Sequence, residues 1–174
     1  MLTEIYSKAL YNKYTTGWLH SKKFLGLHLT EDLKWDVHIK HVCNILKKNY
    51  YVIHSLKNVT SINTLRNTYF ANFHSHLRYG ILFWGSDSQS TKVFKLQKKV
   101  VRLICNVKRK TSCRELLKTL NILPVPWVYT VETVYYIKVN HKGLKKIWPY
   151  MIMRYDIDQI FKCSFVELIF LKRM

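Results

Sequence analysis

The residues with the clearest chemistry are cations. Lys92, Lys95, Lys99 and Arg102 recur at steps of three or four, Lys98 stands at the edge of the set, and Lys108, Arg109 and Lys110 continue beyond it. At about 100° per residue the first four share one arc of a helix. No acidic residue falls between Lys92 and Lys110. Solvated helix faces ordinarily mix signs so that Glu and Lys pair four apart, whereas an unbroken cationic face repels itself unless a polyanion lies beside it. Nucleic acid is the expected partner; a basic face that is merely solvated is the plainer alternative.

Other constellations are weaker. His38 and His41 are three apart, but no third ligand accompanies them, and packing accounts for them better than a metal does. His74 and His76 flank Ser75, yet residues two apart on a helix point in different directions, which argues against a Ser/His catalyst. Tyrosine and tryptophan can stack on bases. At helical spacing most belong in a core instead, where Trp35 and Trp84 are placed. The four cysteines, Cys43, Cys105, Cys113 and Cys163, show no zinc-binding spacing and read as reduced thiols.

The elements that must position the cations follow from periodicity. From Ser90, the residues Val93, Leu96, Val100, Leu103 and Val107 make an apolar line, widened by Phe94, Val101 and Ile104, so an amphipathic helix is predicted. Before it, Ser61 is a cap for a helix with Ile62, Leu65, Tyr69, Phe73 and Leu77 in line, prolonged through Ile81 and Trp84 to Gly85. The polar joint from Ser86 to Ser90 then makes the two runs a helical hairpin. Upstream, Phe24 to Leu29 alternates like a strand or half a β-hairpin, and Gly26 would admit a close neighbour. Trp35, Ile39, Val42, Leu46, Tyr50, Ile53 and Leu56 mark a long helix from Asp36 to Leu56, with Lys40, Lys47 and Lys48 outward. Ser112 and Glu115 have capping-box spacing, and Pro126 opens a helix to Asn140 with Trp127, Val131 and Val134 on one side. The expected fold is therefore mainly α, a helical bundle behind a short β-hairpin or strand. Residues 1–23 read as a weak helix, 24–34 as the hairpin, 35–140 as the helical domain and 141–174 as a divergent, poorly ordered tail.

The bulk numbers agree. In 174 residues, 29 Lys plus Arg against 10 Asp plus Glu give a net charge of +19, which favours nucleic acid or an anionic membrane surface. No signal-peptide pattern and no apolar run long enough to span a bilayer is present, so an intracellular protein, nuclear or cytoplasmic and not secreted, is expected.

Four blocks in order carry a family resemblance. Phe24-Leu25-Gly26-Leu27-His28-Leu29, with Leu33-Lys34-Trp35 and His38-Ile39, resembles the segment that follows the catalytic palm in reverse transcriptases of LINE-like, jockey-type non-LTR retrotransposons. Tyr69 to Gly80 with Trp84-Gly85, then Leu96-Gln97-Lys98-Lys99 with Val101-Arg102, and Ser112 to Leu116 with Leu120 to Pro124 are similar to that family's following blocks. The resemblance covers about residues 22–140. It implies the end of a palm, with Phe24, Leu25 and Gly26 in the primer grip, and a helical thumb and connection region that holds a primer–template duplex such as an RNA–DNA hybrid. Lys92, Lys95, Lys98, Lys99, Arg102, Lys108, Arg109 and Lys110 would supply phosphate contacts, which position a duplex without reading its sequence.

The family's aromatic-x-Asp-Asp polymerase box does not occur. Asp156 and Asp158 are separated by Ile157 and lie beyond the thumb-like region, so they do not replace it. The chain is accordingly expected to be no enzyme on its own. It needs no cofactor, magnesium belonging to the missing carboxylates, and the absent palm and fingers are further expected partners. Rival readings are a truncated relic of a mobile element without function, and a basic protein of membrane surfaces.

Overall fold

The computed structural model describes residues 21–30, 32 and 34–140. The expected weak N-terminal helix and divergent tail lie outside these residues. Within them the chain is mainly helical behind a two-stranded antiparallel hairpin, β1 (Ser21–Phe24) and β2 (Leu27–Thr30).

The hairpin turns earlier than the alternation implied. Phe24 pairs with Leu27, so the turn is Leu25–Gly26, inside the run read as a strand. Both turn residues have positive φ, 45° and 79°, as a two-residue turn matched to strand twist requires. Leucine in that region costs about 1 kcal/mol. Tyr79 offsets it: its hydroxyl donates to the Leu25 carbonyl, and its ring lies 3.3 Å from where a Cβ on Gly26 would stand. Leu27 and Leu29 point into the core.

The long helix α1 (Asp36–Leu56) has the expected bounds and buries His38, Ile39, Val42, Cys43, Leu46 and Ile53. The next run does not continue as one α-helix. Ser61 caps α2 (Ile62–Thr68), its hydroxyl accepting from the Thr64 amide at 3.3 Å. A π-helical stretch follows over Tyr69–His74, then the short α3 (Ser75–Arg78) and, after left-handed Gly80, α4 (Ile81–Trp84). The wider π turn keeps Tyr69, Phe73 and Leu77 in line where an α-helix would carry residues four apart steadily round. Tyr69 and Phe73 stack at 5.3 Å and are fully buried. The Asn72 carbonyl accepts from Asn49 Nδ2 at 3.0 Å and approaches a His76 ring nitrogen at 2.6 Å.

Helix α5 (Ser90–Ile104) packs along α1 and buries Val93, Gln97, Val100, Val101 and Ile104. It stops before Val107. Asn106 adopts φ 52°, its amide bonds the Leu103 carbonyl at 3.2 Å, and the Val107 amide bonds the Arg102 carbonyl at 3.1 Å, a Schellman ending with asparagine in the left-handed position. The ending recurs after α6 (Arg114–Thr119), where Asn121 has φ 52° and Ile122 bonds Leu117 at 2.8 Å. The capping box does not form. Cys113 holds the N-cap position, Ser112 Oγ reaches only the Arg114 amide at 3.5 Å, and Glu115 pairs with Lys118 at 3.3 Å. Helix α7 (Val125–Asn140) lies against α4 and α5. It buries Val125, Val128 and Val134, while Trp127 is 40% exposed.

Candidate nucleic-acid interface

The eight cations named from the sequence take three positions. Lys92, Lys95 and Lys99 stand exposed on α5, opposite its buried face. Lys98 is half-buried and its ammonium sits 4.4 Å from the Phe94 ring centroid, a cation–π contact on the helix's own flank. Arg102 is half-buried too, and its Nε donates to the Thr111 carbonyl at 2.8 Å. It therefore ties the exposed turn carrying Lys108, Arg109 and Lys110 to α5, and the Schellman ending reverses the chain ahead of that turn instead of extending the helical row. Arg102 positions the basic turn as well as contributing its own charge.

A second row comes from α1. Lys40, Lys47 and Tyr51 recur at seven and four, fall on one side and are exposed. The two helices run the same way side by side: Lys47 and Lys92 both act on the Cys43 thiol, and further along Lys47, Tyr50 and Tyr51 face Leu96 and Lys99 across a cleft of about 230 Å³. Burial pushes the Cys43 thiol up, with the two ammonium groups opposing it. The ion pairs Lys34–Asp32, Arg78–Glu132 and Lys118–Glu115 involve none of these lysines. Among the described residues no carboxylate neutralises Lys47, Lys92, Lys95 or Lys99. Lys47 and Tyr51 were not legible as site residues, since only the pairing of α1 with α5 brings them beside Lys99; their one sequence signal was spacing on a common helical side.

Gln97 fixes the geometry from below. It is fully buried; its Nε2 donates to Tyr69 Oη at 2.9 Å and the Leu123 carbonyl at 2.7 Å, and its Oε1 accepts from the Val125 amide at 3.0 Å. One side chain thus joins α5 to the π turn and to the start of α7.

The grip-like residues stand elsewhere. Phe24 is half-buried at the end of β1, while Leu25 and Gly26 form the exposed turn, and the hairpin packs on α1 near His38. Between them Gly26, His41, Ser75, His76 and Tyr79 border a shallow hollow of about 280 Å³. His28 joins the pair seen in the sequence, its ring 4.6 Å from that of His41 and 6.2 Å from that of His38. Among the described residues no group of three or more His, Cys, Asp or Glu could hold a metal ion. Burial, with His28 and His41 adding to it, pushes His38 down to about 4; His74 is likewise pushed down to about 4 by burial and then by Arg78. Both imidazoles are neutral at pH 7. His74 is buried against Tyr69 and Phe70.

No protein-family model, curated protein or solved structure matches the chain. Among the described residues no helix is long and apolar enough to cross a membrane.

Proposed function

We propose that the chain binds nucleic acid through the joined cationic faces of α1 and α5, as a thumb-like part of a retrotransposon reverse transcriptase that carries no polymerase centre of its own. The observation that supports this reading is the convergence of Lys47 from one helix with Lys92 and Lys99 from the other, without an acidic partner among the described residues. Two like-charged rows held together by an apolar core favour a polyanion over solvent alone. Contacts of this kind go to phosphates, so the mode is recognition of backbone shape and charge with little dependence on sequence. The family assignment rests on the four sequence blocks; the paired helices support only the binding role.

The test is binding to an RNA–DNA hybrid as a function of salt. Affinity should fall steeply with salt, and the triple change Lys92→Glu, Lys95→Glu and Lys99→Glu should weaken binding to all sequences alike and reduce the salt slope by about three. Arg102 is left in place because it anchors the Thr111 turn. Salt-insensitive binding, or none, would refute the proposal. Sedimentation with acidic vesicles but not with nucleic acid would transfer the same charge to a membrane surface.

A further inference from the structure

The cleft between α1 and α5 holds more than charge. Tyr51 is 70% exposed, and its ring meets that of Tyr50 edge to face at 5.8 Å. Tyr50 is half-buried and packs on the core, so it supports Tyr51 from the inside. Lys47 and Lys99 flank the pair, and Leu96 contributes an apolar wall. At about 230 Å³ the cleft is smaller than the roughly 300 to 1,000 Å³ of pockets that enclose a drug-sized ligand. At that volume it cannot take in a duplex. An exposed aromatic ring sharing a cleft with two ammonium groups that no described carboxylate neutralises is an arrangement that can hold one base by stacking while cations take the adjoining phosphates.

We infer that this cleft binds an unpaired nucleobase, with Tyr51 stacking on it and Lys47 and Lys99 holding the adjoining phosphates, so that the preferred ligand is a duplex continued by a single strand. The inference rests on the nucleic-acid reading above and narrows it. From Lys92 to Lys99 the helix rises about 10 Å, the length of about three nucleotides of one strand. A strand lying along α5 past Lys92 and Lys95 therefore reaches Tyr51 within a few nucleotides.

The full chain would be titrated into two RNA–DNA hybrids, one blunt and one with a short single-stranded extension carrying 2-aminopurine, whose fluorescence responds to stacking. The wild type and Tyr51→Phe should change the 2-aminopurine signal and bind the extended hybrid more tightly than the blunt one. Tyr51→Ala should lose the signal change and bind the extended hybrid roughly tenfold more weakly, a loss several times larger than the one it causes for the blunt hybrid. The inference is overturned if Tyr51→Ala binds both hybrids as the wild type does, or if it weakens both equally. Absence of wild-type binding to either hybrid would refute the nucleic-acid reading itself, a result distinct from intact duplex binding without stacking.

Discussion

Single residues decide how firmly the two cationic helices are held. Gln97 occupies a position that periodicity alone assigns to the apolar face of α5, and it is tolerated there because all three of its contacts satisfy buried partners. Gln97→Leu keeps the bulk but removes the partner that Gln97 gives the Val125 amide and the Leu123 carbonyl. It should lower stability by about 2–4 kcal/mol in urea unfolding, since each unsatisfied buried group costs about 1–3 kcal/mol and part of that is recovered by water. The histidines give a pH signature. His38 and His74 stay neutral in the fold down to about pH 4, while in the unfolded chain they protonate near 6.5. Between those values the unfolded state holds the extra protons, so stability is full above about pH 6.5, declines as pH falls toward 4 and levels off below. The combined loss should be on the order of a few kcal/mol. Among the described residues His74 Nδ1 has no hydrogen-bond partner, so His74→Leu should cost little at pH 7 and flatten part of the decline. An unfolding midpoint as steeply pH-dependent in that variant as in the wild type would remove His74 from the account.

Among the elements, legibility depended on whether local pattern or distant packing set the boundary. Helix α1 was readable to its ends because its buried line repeats over 21 residues and dominates every other local preference. The run from Ile62 to Trp84 read as one helix because spacing by four fits α and π turns alike; the π stretch and the break at Gly80 answer to Asn49, Tyr79 and Leu27, which spacing does not reveal. The Ser112–Glu115 spacing misled for a related reason: Cys113 is drawn inward, its thiol contacting the Lys98 carbonyl at 3.6 Å, and the helix starts one residue later. The lysine row on α5 and the outward Lys40 and Lys47 on α1 were legible, the convergence of the two rows was not, and the anchoring role of Arg102 needed the Schellman ending at Asn106. That ending is testable. Asn106→Gly should be neutral or stabilise by a few tenths of a kcal/mol, whereas Asn106→Val, a β-branched residue forced to positive φ, should cost about 1–2 kcal/mol. If the turn presents Lys108, Arg109 and Lys110 to nucleic acid, Asn106→Val should also lower hybrid affinity at a denaturant-free temperature where the chain is still folded.

At the scale of the whole molecule two forces oppose each other. The net charge of +19 acts to keep copies apart, and exposed apolar surface on α7 acts the other way. Along that helix Trp127 is 40% exposed, Tyr135 60% and Val139 55%, and with half-buried Val131 between them they recur every four residues as one ridge. A helix apolar on its outer side as well as its inner one has the composition of a buried element. An exposed apolar ridge of this kind is a surface that favours association. The balance can be read from salt. At low ionic strength repulsion should keep the chain monomeric; as the Debye length contracts from about 30 Å at 0.01 M toward about 8 Å at 0.15 M, the ridge should begin to associate. Tyr135→Lys with Val139→Lys adds charge at the two most exposed positions of the ridge, so it should shift the onset of association to higher salt without lowering stability by more than about 0.5 kcal/mol. Sedimentation velocity across a salt series distinguishes the outcomes. Association that ignores these two substitutions would locate the sticky surface elsewhere. Association abolished by added RNA–DNA hybrid but not by the substitutions would instead show that the cationic face of α1 and α5, once neutralised, governs the state of the chain.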